Sequence, residues 1–352
     1  MNPATSQDRR GDRASRERGV ILLWFAFFLM VMVGFVALGI DGAKMAATKV
    51  ELQNAADAAA LAGASAVSTS PGSQGELAQA LARARAQETG RLNRAFVGGP
   101  QPVEIDAADI SFPTRTQIRV VARRSKAAGN GMTTSFARAL GHPTVDLAAA
   151  AVAEAMPVNS VCEDLVPMGA VPPDEDDFQT GCDHIYDLKL GGGGGSNGNY
   201  NLLSFPECPE GVCAGMGERG ANTMRCLVAN GYGCCLEIDQ QADTEPGNES
   251  GPFKQGAEQR WDRDTDQREN ICYSDYRGNG ERVVYVPKIT PPGHGRSRVT
   301  IIGFTAFFMR ARPGNGIQSI MRGEFLHDVV PGGGLTSPTS NGTTLYTLKL
   351  VR

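Results

Sequence analysis

Cysteine is missing from the first 161 residues of this 352-residue chain and then occurs eight times, at Cys162, Cys182, Cys208, Cys213, Cys226, Cys234, Cys235 and Cys272. An even set confined to one stretch excludes scattered cytosolic thiols and reads as disulfides made in an oxidising compartment. Connectivity is not readable from spacing, except that the neighbours Cys234 and Cys235 join different partners, since a bridge between them strains the backbone. Aromatic residues are thin at 7% while glycine reaches 43, which argues against a helical bundle and for loops and sheet. A net charge of −4 gives no bulk electrostatic case for nucleic acid. P-loop, HExxH and DxSxS metal-adhesion motifs are all missing. The chain therefore reads as no enzyme, without cofactor or metal, and with neither nucleic acid nor a small-molecule substrate as partner.

Charge is also missing from residues 20–40 (VILLWFAFFLMVMVGFVALGI). As a helix at about 1.5 Å per residue this run spans roughly 31 Å, enough to cross a hydrocarbon core. Residues 41–64 (DGAKMAATKVELQNAADAAALAGA) follow without proline and are rich in alanine, so one continuous helix is predicted, half in lipid and half projecting. Arg9, Arg10, Arg13, Arg16 and Arg18 precede the run and predict a cytoplasmic arm, residues 1–19, without fixed structure. Residues 41–352 are then predicted to be translocated. The Arg10-Gly11-Asp12 triplet falls on the cytoplasmic side and is coincidence. A cleaved secretory signal is the competing reading, but the run exceeds the usual apolar region of about 7–15 residues. An uncleaved, single-pass anchor is predicted.

Beyond the run, Asp41 and Lys44 have the spacing of an i, i+3 pair at the lipid boundary. Ala55, Ala59 and Gly63 recur every four residues and make one helix side smooth. That stripe suits close approach by another helix or by this chain's own globular part, and both stay open. Residues 68–75 (STSPGSQG) form a hinge, and 76–96 a second helix with Ser73 and Glu76 in capping-box spacing. Its apolar face is predicted from Leu77, Leu81, Ala84, Leu92 and Phe96, with arginines 83, 85, 91 and 94 on a solvated face. Short strands are expected at 103–105, 109–112 and 116–123, a short helix at 133–141, and an apolar element of either type at 145–155.

Composition changes near Met156-Pro157, where Pro, Gly, Cys and acidic residues begin. Strand signals return at 283–286, 299–309, 317–321, 324–330 and 343–351. The run VTIIGFTAFFM is too short for a second span and suits a fully buried strand. The fold class is α+β: a transmembrane helix continuing into an Ala-rich helix, a small α+β unit, then a mostly β, disulfide-stapled C-terminal domain. The boundaries are 1–19, 20–40, 41–67, 68–156 and 157–352.

Four local motifs fail on context. Residues 194–198 spell G-x-S-x-G around Ser196, but a glycine run precedes it, no helix pattern follows, and nothing puts His142, His184, His294 or His327 beside it. Residues 215–220 spell G-x-G-x-x-G without a preceding strand. Asp262, Asp264 and Asp266 begin like a calcium loop, but Gln267 and Tyr273 occupy the positions that need Gly and Glu. A solvated acidic loop is the default there, with a different calcium site as the alternative. Cys208, Cys213, Cys226 and Cys234 or Cys235 are loosely zinc-like in spacing, and export favours disulfides.

The arm ending Arg18-Gly19, the span, Asp41-Gly42 and the string LQNAADAAALAG at 52–63 are together similar to the N-terminal region of TadE/TadG-like proteins of the tight-adherence (Flp, Tad) pilus machinery. The FARALG phrase at 136–141 with 145–155 resembles the section that follows, so the resemblance covers roughly residues 15–156. It implies a membrane-anchored envelope protein in assembly or anchoring of an adhesive pilus, partnered by other pilus-assembly or pilin-like membrane subunits. Two departures qualify it. Processed pilins of that system carry Glu five residues after the cleavage-site Gly, whereas Trp24 stands there after Gly19. The missing DxSxS argues against the von Willebrand A-like domain of longer relatives. The alternative function is a membrane-tethered binding module or adhesin that uses the Cys-rich domain.

Overall fold

The computed structural model describes residues 9–69, 75–173, 178–188, 199–247, 249–330 and 344–351. Helix α1 (Arg9–Thr69) is followed by α2 (Glu76–Leu92). Next come β1 (Arg94–Phe96), β2 (Pro100–Pro102), β3 (Ile110–Ser111), β4 (Gln117–Arg124), β5 (Met132–Thr133), β6 (Thr144–Val145) and β7 (Leu147–Pro157). The cysteine-rich stretch holds β8 (Ser160–Val161), β9 (Tyr186–Asp187), β10 (Asn199–Ser204), helix α3 (Ala221–Asn230), β11 (Leu236–Glu237), β12 (Gln241–Pro246) and helix α4 (Ser250–Arg263). It closes with β13 (Val283–Ile289), β14 (Arg298–Met309), β15 (Arg322–Leu326), β16 (Asp328–Val329) and β17 (Leu345–Val351).

Helix α1 runs for 61 residues, roughly 90 Å, with no proline to break it. It already includes residues 9–19, where an arm without fixed structure is expected from composition. The second helix stops at Leu92 instead of running to Phe96. Asn93 N–H donates to the Gly90 carbonyl at 3.0 Å, and the chain then extends so that Arg94, Ala95 and Phe96 pair with Pro102, Gln101 and Pro100. Its predicted apolar face is also corrected: Leu77 is 79% exposed and Leu81 and Leu92 face solvent, while Ala78, Ala82, Ala86 and Gly90 are buried. Small residues at i, i+4 let a neighbour approach closely, and leucines at the interface would hold it away. The capping-box serine, Ser73, lies outside the described residues.

The chain divides into two compact units. The first comprises Met1–Ala59, Gln87–Ile110 and Val120–Ala151; the second comprises Ala60–Ala86, Ser111–Arg119 and Val152–Arg352. In the first, the short helix expected at 133–141 is a 3-10 turn, Ala137–Leu140, ended by Gly141 at φ 87°, the left-handed geometry glycine favours. Residues 103–105 are buried in part but form no strand, because Val103 N–H bonds to the Asn93 carbonyl and the Ile105 carbonyl accepts from Gln87.

The second unit contains a six-stranded sheet, ordered β10-β12-β14-β15-β9 with β13 also on β14. β14 is its central strand, and an extra residue, Ile302, sits where Lys288 pairs Gly303 and Ile289 pairs Ile301. One extra residue reverses which face each side chain takes. Val299 and Ile301 join one core, and past the bulge Phe304, Ala306 and Phe308 continue into the same core. Phe307 and Met309 face a second core with Phe325, Met224, Phe253 and Trp261, the last three from α3 and α4. These two helices were not singled out by sequence pattern. Residues 317–321 form a 3-10 turn, Gly316–Gln318, and not a strand. A five-stranded sheet is ordered β16-β17-β7-β4-β3. β7 runs through the compositional boundary at 156–157, and β17 returns from the C-terminal end to pair with it, Tyr346 opposite Pro157 and Val351 opposite Val152.

Candidate functional site

The apolar half of α1 carries its large side chains in the open. From Ile21 to Ile40 every large hydrophobic side chain is exposed, and the helix is long and apolar enough to cross a membrane. A stripe of Phe and Leu left bare around a whole helix is costly in water and suited to lipid.

Asp41, the first residue past that run, is only 2% exposed. Its Oδ1 accepts Ser135 N–H at 2.7 Å, and its Oδ2 accepts Phe136 N–H at 2.9 Å and Ala137 N–H at 2.7 Å. The carboxylate thus satisfies the open amides at the head of the 3-10 turn. The Ala137 amide, then Ser135's, holds this carboxyl below the usual range, against the opposing effect of burial. Lys44, at the expected i, i+3 spacing, adds its charge as a further, smaller cause that also lowers it. Lys44 also donates to the Ser135 hydroxyl and lies 5.6 Å from the Phe96 ring centroid.

The next turns carry the LQNAADAAALAG string, whose polar and small residues have separate tasks. Glu51 accepts Phe96 N–H at 2.8 Å. Lys49 donates to the Ala148 carbonyl, and Gln53 donates to Asp57 at 2.7 Å and to the Ala150 carbonyl at 3.2 Å. These side chains bond the backbone of β7 along the helix. Leu52, Ala55, Ala56 and Ala59 are fully buried within the chain itself. Gly63 is buried too, and a Cβ there would sit 2.5 Å from Ile118 Cδ1 and 3.3 Å from the Ala82 carbonyl. Only glycine permits that spacing to α2 without a shift.

The eight cysteines form four disulfides: Cys162–Cys235, Cys182–Cys272, Cys208–Cys234 and Cys213–Cys226. Neighbouring Cys234 and Cys235 go to different partners. With every thiol paired, no zinc ligand remains among them. The acidic loop is also committed. Asp266 binds Arg268 at 2.6 and 2.8 Å and accepts Arg277 N–H at 2.9 Å, which holds its carboxyl far below the usual range, with the Arg268 bond the largest cause. Asp264 accepts the Tyr276 hydroxyl and the Asp266 amide. Among the described residues no three His, Cys, Asp or Glu side chains converge as a metal set. Residues 215–220 form a looped turn leading into α3 with no strand before it, and Ser196 lies outside the described residues.

Two features carried no sequence signal. Arg282 is fully buried, donates to the carbonyls of Met309, Asp266 and Arg268 at 2.8, 2.7 and 2.9 Å, and lies 4.0 Å from the Trp261 ring centroid. It is a structural cation holding the acidic loop to the sheet. A cavity of about 380 Å³ opens beside Cys182–Cys272, lined by Tyr273, Glu324, His327 and Asp328. Burial pushes the Asp328 carboxyl up, and the Tyr285 hydroxyl donates to it at 3.3 Å.

The bare span, the Asp41 clasp and the small-residue stripe fall in one stretch of α1, and that stretch has a known counterpart. Residues 19–66 match the Tad family model, described as "Putative Flp pilus-assembly TadE/G-like". No curated protein and no solved structure matches the chain. The Tad segment therefore covers the span and the buried stripe of α1, and it supports a Flp/Tad pilus-related role with a membrane location.

Proposed function

We propose that the protein is a non-enzymatic, single-pass component of Flp/Tad-type pilus assembly or anchoring that contributes to surface adherence. The observation that carries this reading is the coincidence of the Tad match with α1, bare over residues 21–40 and burying Leu52, Ala55, Ala56, Ala59 and Gly63 further on. A filament-forming helix must offer its smooth side to other subunits, whereas here Ala55, Ala59 and Gly63 are buried within the chain. Trp24, in place of the Glu of processed pilins, supports retention in the membrane. The arginines at 9–18 support a cytoplasmic N-terminus, and four disulfides support a C-terminal region on the periplasmic side of the inner membrane. Its partners are other pilus-assembly or pilin-like membrane subunits. Deleting the gene is expected to abolish pili and surface adherence, with restoration by the full chain; normal pili in the deletion strain would refute the proposal. Cleavage of the C-terminal region by protease added to intact cells would favour the adhesin alternative.

A further inference from the structure

Asp41 does more than end the span. Its three backbone bonds fasten residues 135–137 to the helix at the first position past the apolar run, so the following 3-10 turn sits where the chain leaves the hydrocarbon. A run of residues 20–40 as long as the hydrocarbon is thick puts residue 41 at the headgroup level. The turn does not hide its apolar side chains there. Phe136 is 44% exposed and Leu140 is 76% exposed, like Ile40 on the adjoining helix. Arg138 between them is exposed, and Lys44 lies one turn along α1 from Asp41. Aromatic and aliphatic side chains flanked by cations are the composition that settles at a lipid interface, with the apolar groups about 5–10 Å into the headgroup and acyl boundary.

We propose that the Phe136–Leu140 turn is a lipid-contacting foot that inserts into the membrane surface beside α1 and fixes the angle at which the projecting half of the helix leaves the bilayer. Phe136 and Leu140 enter the boundary, and Arg138 extends its guanidinium to lipid phosphate. Asp41 is the positioning residue, because its carboxylate occupies the three amides that would otherwise need water. One helix alone can tilt and rotate in a bilayer, and a second contact off its axis removes that freedom. This inference rests on α1 spanning a membrane.

The test uses the full chain in phosphatidylcholine–phosphatidylglycerol vesicles and lipids brominated near the headgroup end of the acyl chains. The chain has two tryptophans, Trp24 in the span and Trp261 in a protein core. Trp24→Phe leaves Trp261 as an unquenched reference, and Leu140→Trp is then added. The expected result is loss of the added emission in brominated vesicles, no loss for Leu77→Trp, exposed on α2, in the same background, and recovery when Asp41→Ala is introduced. Equal emission from Leu140→Trp in brominated and plain vesicles would overturn the foot. The Trp24 emission of the parent chain separates the two readings. If it is quenched while Leu140→Trp is not, the anchor stands and the foot fails; if it is not quenched, both fall.

Discussion

Along α1 and α2 the chain packs alanine and glycine, and ties backbone to helix with Asp41, Glu51, Lys49 and Gln53. Around β13 and β14 it packs phenylalanine, buries Arg282 and closes four disulfides. The first strategy depends on shape. Alanines bury little apolar area each, at roughly 25 cal/mol per Å², so close backbone approach and hydrogen bonds must carry the contact. The second depends on area and covalent constraint. The difference teaches where each part is vulnerable: the spine to added volume, the C-terminal unit to lost cross-links and lost large side chains.

The largest expected effect breaks the cross-linked side. Replacing Cys182 and Cys272 with serine opens a loop of 90 residues, and chain entropy puts the loss at about 4.6 kcal/mol, against about 2.9 kcal/mol for the 13-residue Cys213–Cys226 loop. Denaturant unfolding of both double variants in detergent checks the order. Arg282→Ala comes next, at about 3–4 kcal/mol, because three carbonyls, two of them in buried bonds, lose a donor and a void opens beside Trp261. Arg282→Lys keeps the charge but not the fork and should recover only part of this in the same measurement.

On the spine, Gly63→Leu should cost about 1–3 kcal/mol by overpacking against Ile118 and the Ala82 carbonyl. Leu77→Ala, on an exposed side chain, should leave the melting temperature within a degree or two of the parent, by about 0.5 kcal/mol or less. If the two were equal, the small-residue face assigned to α2 would be wrong. The smallest effect is local. Asp41's carboxyl is held below its ordinary value of 3.8, so docking of the 135–137 amides is complete above that pH and is lost as pH falls through the lowered value. Mobility of a spin label at Leu140 should rise on acidification in the parent and be high at every pH in Asp41→Ala.

Much of this was legible in sequence where the signal was local. Twenty-one uncharged residues predict α1, a strand signal at 116–123 predicts β4, and eight clustered cysteines predict the disulfides, whereas the apolar run at 145–155 fits a helix as well as the strand β7 that it forms. α2's buried face was misread because hydrophobicity scores favour Leu77 and Leu81, whereas a close helix contact selects Ala78, Ala82 and Ala86 for their size. Asp41's role spans 94–96 residues of sequence, and no spacing rule reaches that far. Helices α3 and α4 hid in a Gly-, Pro- and Cys-rich stretch whose composition reads as loop. Arg282 carried no signal in sequence, because burial of a charge depends on carbonyls and rings brought in from elsewhere in the fold.

The account stands on α1 being one element that is both membrane anchor and core helix. The direct measurement is the intact mass of the chain recovered from alkaline-washed membranes of the native cell. Retention of the full 37.3 kDa polypeptide, with residues 1–40 still attached, is the predicted result. A chain beginning at Val20, or a soluble one beginning beyond Ile40, would contradict it.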